Sequence, residues 1–215
     1  CGVDAFSVFD AWLIEAEAGV FVRVLRLRTR SDLPTRARLL IVRSRQEGWQ
    51  FPDVDAVLPI LRGADVFILY PRFVERALSA RRYAEIERTA ALSGRTIAAL
   101  QTWDTMRVLS WMWQDEGGNG SPIFVAGRGD AAVPSLYAAL LSEYVAGAIL
   151  WEPPASHGIG PPLLTVLRTI EFSEAAAMVS PRPLAVIDEA SALFGATGAI
   201  LQSLGRSEDI AARKS

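Results

Sequence analysis

Cysteine and histidine each occur once in this sequence, and both scarcities narrow its chemistry. One cysteine cannot close an internal disulfide, so the fold must stand on its core, and the redox compartment is left open. One histidine, with no Cys, Asp or Glu grouped around it at ligand spacing, makes no metal motif. There is no Walker-type glycine loop and no G-x-G-x-x-G unit, so neither metal nor cofactor is expected. Lysine is scarce beside arginine, but the net charge is −2. No global field would gather nucleic acid or an acidic membrane surface. No apolar run approaches the roughly 18–20 residues of a membrane-crossing helix. Internal repeats and low-complexity linkers are also missing. The first residues are Cys1-Gly2, with no initiator Met and no signal peptide before them. That start fits a fragment or processed chain with an inert terminal thiol. It also fits a bacterial lipoprotein with a lipidated Cys1, placed in the cell envelope or periplasm. Only in that second case is a membrane an expected partner.

What is present is globular. The 215 residues are 51% hydrophobic and 21% charged, with six tryptophans, enough for a single domain over 1–215 with a sizeable core. Residues 6–18 mix apolar and acidic side chains and read as a strand turning at Glu17-Ala18-Gly19. Residues 20–28 alternate apolar and polar, the period of a strand, and pair with the first as a hairpin. Arg23, Arg26, Arg28 and Arg30 then read as the wet side of an edge strand. Residues 38–43 and 64–70 are nearly continuous apolar runs, as expected of strands buried on both faces. Pro34 marks a turn, and residues 54–62 and 74–92 read as helices. A long helix is expected over 96–114, with Leu100, Trp103, Met106, Leu109 and Trp113 as its core face. On that helix Asp104 and Arg107 stand i, i+3, close enough to pair. Further strands are expected at 146–150 and 183–187, short helices at 163–170 and 173–179, a last helix at 190–204 and an edge strand from 210.

The chain is organised around residues 122–141, which read as a buried strand, a glycine turn (Gly127-Arg128-Gly129-Asp130-Ala131) and a helix. In that helix Val133, Leu136, Tyr137, Leu140 and Leu141 line one face, and Pro134 falls in the first turn, where its missing N–H is tolerated. Strands alternating with helices at this spacing predict an α/β fold, a mostly parallel sheet with helices on both faces. The leading hairpin adds an antiparallel start, and the last strand is expected to be truncated.

With this turn, Gln101-Thr-Trp-Asp-Thr-Met-Arg107 before it and Pro181-Arg-Pro-Leu184 after it, the chain resembles the acetyl xylan esterase and dienelactone-hydrolase-like branch of the α/β-hydrolases. The segment Ile68-Leu-Tyr-Pro-Arg72 is similar to that branch's D-x-R-G, with Tyr70 in place of the acid. The resemblance covers residues 15–215. It implies a G-x-S-x-G nucleophile elbow at 127–131, an acid at Asp188, and a histidine after the last strand. The elbow's serine position is Gly129, and no histidine follows Asp188. A serine hydrolase needs nucleophile, base and orienting acid together, so two of three roles are vacant.

Several residues remain as site candidates. His157 lies in a Pro/Gly-rich loop before the acid strand and is read mainly as a local hydrogen-bonding residue, catalysis being the weaker alternative. Ser156 and Ser135 are spare hydroxyls, and Ser135 lies one helical turn too far along to use the elbow's donors. Arg128 could hold a carboxylate at the helix start, and Asp130 could cap that helix. The tripeptide Arg128-Gly129-Asp130 sits in a tight turn unsuited to adhesion. Trp151 ends a strand where it would line a cleft, whereas Trp103, Trp111 and Trp113 fit burial. The expectation is a catalytically degenerate hydrolase-like domain with a structural or partner-binding role, as a subunit of a larger assembly. An acetyl xylan esterase-like carboxylic-ester hydrolase is the alternative, and small-molecule binding in the old cleft a third.

Overall fold

The computed structural model of the chain describes residues 6–29, 36–47, 64–74, 78–114, 120–187 and 191–213. Eight strands form one sheet in the order β1-β2-β4-β3-β5-β6-β7-β8. They are β1 Phe6–Glu17, β2 Val20–Thr29, β3 Ala37–Val42, β4 Ala64–Tyr70, β5 Ile123–Arg128, β6 Val145–Trp151, β7 Leu184–Ile187 and β8 Ile210–Arg213. The β1–β2 and β2–β4 pairs are antiparallel and all others parallel. The described helices are α1 Ala80–Leu92, α2 Ile97–Gln114, α3 Ala132–Leu141, α4 Phe172–Ala177 and α5 Ser191–Ser203. The expected hairpin and buried strands are therefore present. The helix read at 54–62 and the turn at Pro34 lie outside the described residues, and α1 begins at Ala80 rather than at 74.

Strand periodicity sorts the core into two layers. On β4, Phe67 and Leu69 face one cluster, which α2, α3, α4 and α5 cover through residues such as Leu109, Leu136, Phe172 and Leu193. Val66, Ile68 and Tyr70 face the other, with Leu25, Leu27 and Leu39. Successive side chains of a strand point to opposite faces, so a continuous apolar run can feed both layers.

Three sequence expectations need correction. β2 is not an edge strand, because β1 lies outside it. Arg26 is buried and ion-paired with Asp65, and Arg23 lies 4.8 Å from the Tyr70 ring centre. The core face of α2 is also rotated from the one expected. Ala98, Thr102, Thr105, Val108, Leu109 and Met112 are buried, while Trp103 and Trp113 are 46% and 44% exposed. Apolar residues occur around most of this helix, so spacing alone does not select a face. Its small residues let it approach the sheet, and the bulky indoles stand outside. Trp103 donates Nε1–H to the Ala16 carbonyl at 3.0 Å, and Trp113 stacks on Tyr144. Only Trp111 joins an interior aromatic group, with Trp12 and Phe67. The third correction follows from the second. Asp104 faces inward, fully buried, and meets Arg72, whereas Arg107 is exposed. Asp104 accepts from the Arg72 backbone N–H and Nε, each at 3.0 Å, and from NH2 at 2.5 Å. Glu17 adds a contact at 3.3 Å. Burial alone would lower the Arg72 pKa, but the Asp104 and Glu17 carboxylates outweigh it and raise it.

Candidate functional site

The turn after β5 lies where the resemblance puts the nucleophile elbow, and its two glycines are held by different constraints. β5 runs between β3 and β6, and α3 starts directly behind the turn. Gly127 is required by that closeness: a Cβ there would lie 2.3 Å from the Ala131 carbonyl oxygen and 2.4 Å from Ser135 Oγ. Gly129 is required by conformation. Its φ is +56°, the left-handed region that glycine enters freely. Among the described residues, a Cβ on Gly129 would meet no atom within 4 Å. The position at which the resemblance puts a serine is thus a glycine with no described atom against it. Ser135, fully buried, lies beneath the elbow against Gly127 rather than above Gly129.

The residues flanking Gly129 are held by internal partners. Arg128 Nε donates to Glu152 Oε2 at 2.6 Å, with both side chains about half exposed, and its guanidinium lies 5.2 Å from the Trp151 ring centre. Register places Arg128 opposite Trp151, so the structure brings these two candidates together. The carboxylate that Arg128 binds is thus the chain's own. Asp130 does not cap α3, whose start has no side-chain cap. Its carboxylate instead accepts from Gln46 Nε2, which ties the elbow to the loop after β3. Glu152 has φ +44°, rare for a non-glycine residue. Glu152 belongs to the strand-end segment Trp151-Glu152-Pro153 that the sequence places at a cleft, whereas nothing in the sequence singles out Gln46.

Beside the elbow is a small cavity of about 250 Å³, lined by Ser44, Arg45, Tyr83, Gln101, Asp130 and Pro161 among others. Arg45 lies 4.4 Å from the Tyr83 ring centre. Burial, then the nearby Glu87 carboxylate, raises the Tyr83 pKa, so its phenol stays protonated. Arg45, Asp130 and Tyr83 can bind a small polar group noncovalently; the lining supplies no paired nucleophile and base.

His157 belongs to a different, buried group. It is 6% exposed, and its Nε2 is 2.8 Å from the Tyr137 hydroxyl. Its ring meets the Phe172 ring edge-on at 5.2 Å. Its backbone N–H donates to Glu171 Oε1 at 2.8 Å, and its Nδ1 has no partner among the described residues. Burial lowers the His157 pKa, with Glu171 partly opposing, and burial pushes Tyr137 up to about 12. Glu171 is held below its ordinary range by accepting from the backbone N–H groups of His157 and Phe172. Asp188 and Cys1 lie outside the described residues. Among the described residues no group of three or more His, Cys, Asp or Glu could hold a metal ion, and no helix is long and apolar enough to cross a membrane.

No family model matches the sequence, and no curated protein does. Solved structures are similar in fold. One, from Bacteroides fragilis and provisionally assigned as an acetyl xylan esterase, superimposes with TM-score 0.72 at 15% identity over 95% of this chain. This chain spans 66% of that protein's length. A cold-adapted esterase from an Arctic intertidal metagenomic library gives TM-score 0.63 at 14% identity, over 95% of this chain and 82% of that one. A Klebsiella pneumoniae protein provisionally assigned as a dienelactone hydrolase gives 0.63 at 13%, over 95% and 84%. The chain has the α/β-hydrolase fold.

Proposed function

We propose that this α/β-hydrolase-fold domain works by binding a partner and performs no covalent ester chemistry at its elbow. The observation that supports this reading is Gly129: it stands where the resemblance puts the nucleophile, its φ is +56°, and among the described residues no atom lies within 4 Å of where a Cβ would stand. Covalent catalysis needs a nucleophile with a base in hydrogen-bond reach. The one described imidazole, His157, is instead engaged with Tyr137. The test is fluorophosphonate labelling of the purified chain, together with p-nitrophenyl acetate turnover by Gly129→Ser and Gly129→Ala variants. The expected result is no label, and no turnover by the serine variant above the alanine control. Stoichiometric labelling of the unmodified chain would overturn the reading.

A second reading, carboxylic-ester hydrolysis, draws on the fold and on the esterase names of the structural neighbours. It requires a nucleophile other than residue 129, and the labelled peptide would identify it.

A further inference from the structure

An apolar groove runs along α2. Its volume is about 480 Å³, and its walls are α2, the last turn of α3 and the segment 163–170. Trp103, Met106, Leu141, Leu163, Leu164 and Ile170 are among its lining residues. Trp103, Leu141 and Leu164 are 46%, 63% and 47% exposed, so three large apolar side chains stand together in water. Such a cluster marks an interaction surface more often than isolated exposed residues do. The Trp103 indole is already fixed by its bond to Ala16, which makes it a preorganised anchor of the kind that dominates interface energies.

The charge that lines the groove is cationic, with Glu17 next to it on Arg95. Among the described residues no carboxylate lines it. Arg95 lines it directly, with only a 3.8 Å contact to Glu17. Arg107, exposed, follows Met106 one turn beyond Trp103, and Arg168, exposed, precedes the lining residue Thr169. Neither Arg107 nor Arg168 has an ion pair among the described residues. The chain as a whole is −2, so this positive rim is local. From the start of α2 to Arg107 the helix rises about 15 Å at 1.5 Å per residue. A single anionic headgroup would reach one of these guanidiniums and leave the others unmatched. An extended acidic ligand would reach all three.

We infer that this groove docks an acidic amphipathic helix of a partner protein. Apolar residues at i, i+3 or i+4, and i+7 of that helix seat on Trp103, Leu141 and Leu164. Carboxylates on its flanks meet Arg95, Arg107 and Arg168. The inference rests on the reading that the domain functions by binding a partner. The two fail separately: labelling reports on the elbow, and the measurement below reports on the groove.

The experiment selects sixteen-residue amphipathic helical peptides, with randomised flanking positions, by display against the folded chain. Enriched peptides are expected to be rich in Asp and Glu. Leu164→Glu should weaken their binding tenfold or more, and Arg107→Glu several-fold. A peptide with its acidic residues changed to Lys should recover binding to the Arg107→Glu variant. Both substituted side chains are exposed, so fold is retained, and circular dichroism melting checks this. Trp103→Ala is a harsher probe, since it also removes the bond to Ala16. Absence of enrichment, enrichment of neutral or basic peptides, or affinities unchanged by Leu164→Glu and Arg107→Glu would each overturn the proposal. So would co-sedimentation with phosphatidylserine vesicles without peptide binding, which would point to a membrane. Self-association abolished by Leu164→Glu without peptide binding would also overturn it, making a second copy the occupant.

Discussion

Two of the arginine–carboxylate pairs, Arg72 with Asp104 and Arg128 with Glu152, share their chemistry and differ in burial. At the junction of β4 and α2, Asp104 is fully enclosed and the Arg72 side chain is 9% exposed. At the elbow, Arg128 and Glu152 are 49% and 42% exposed. The junction fastens the helix before the elbow to the end of a central strand, and Gln101 reinforces it by donating to the Arg72 carbonyl. The elbow pair holds a surface side chain over Trp151. The same two side-chain types therefore act as frame in one place and as trim in the other. The segment around Trp103-Asp104, on which the resemblance partly rests, belongs to this frame and bears on packing rather than on reaction.

The sharpest way to break that contrast is Asp104→Ala. It strands the Arg72 guanidinium in a buried site, with only the part-exposed Glu17 near it. Removing one partner of a buried pair typically destabilises by about 3–5 kcal/mol. Urea unfolding should show a loss of that order, and a loss under about 1 kcal/mol would put the junction in the same class as the surface pair.

Next in size are two glycines that look alike in sequence. Gly127→Ala forces a methyl into the Ala131 carbonyl and Ser135 Oγ, overpacking that typically costs about 1–3 kcal/mol, here at the upper end because backbone must move. Gly129→Ala meets no atom and costs only the left-handed conformation, about 1–2 kcal/mol. Gly129→Asn should be milder than Gly129→Ala, because asparagine enters that region more readily. Thermal melts of the three variants rank them, and equal losses at 127 and 129 would refute the assignment of one to packing and the other to conformation.

That pair shows where sequence reading worked and where it stopped. The β4 run, the hairpin and the strand-turn-helix around Gly127 were legible because strand period and glycine turns are local properties. The face of α2 was not, since its apolar residues nearly encircle it and only the tertiary fit pushes Trp103 and Trp113 outward. The Arg72–Asp104 pair spans 32 residues; Asp104 with Arg107 was the nearest sequence solution and the wrong one. That residue 129 is a glycine at the position where the resemblance expects a serine is a matter of sequence alone. That Arg128 and Asp130 are tied to Glu152 and Gln46 is not, because both contacts depend on how β3, β5 and β6 lie side by side.

A smaller effect belongs to His157. Its pKa is below 6.5 in the fold through burial, while the unfolded chain titrates near 6.5. Above that pH both states are neutral and the contribution is complete. As pH falls below it, the unfolded state takes up the proton first, so stability declines until pH passes the depressed folded value. Unfolding free energy should therefore drop between pH 7.5 and 5.5, and His157→Gln should flatten that part of the profile. An unchanged slope in the variant would assign the proton uptake to another group.

The smallest expected effect closes the comparison with which these two regions began. Arg128→Ala removes the ion pair with Glu152 and the contact with Trp151, but all three side chains reach water. Exposed pairs contribute about 0–1 kcal/mol, and the part that is Coulombic is screened at a Debye length of about 10 Å in 0.1 M salt. The melting temperature should change little. The difference between wild type and Arg128→Ala should shrink further as salt is raised from low to near-molar concentration. Asp104→Ala, with its charge partner sealed from solvent, should show no such convergence. If salt erased the Asp104 effect and spared that of Arg128, the elbow would be the frame and the junction the trim.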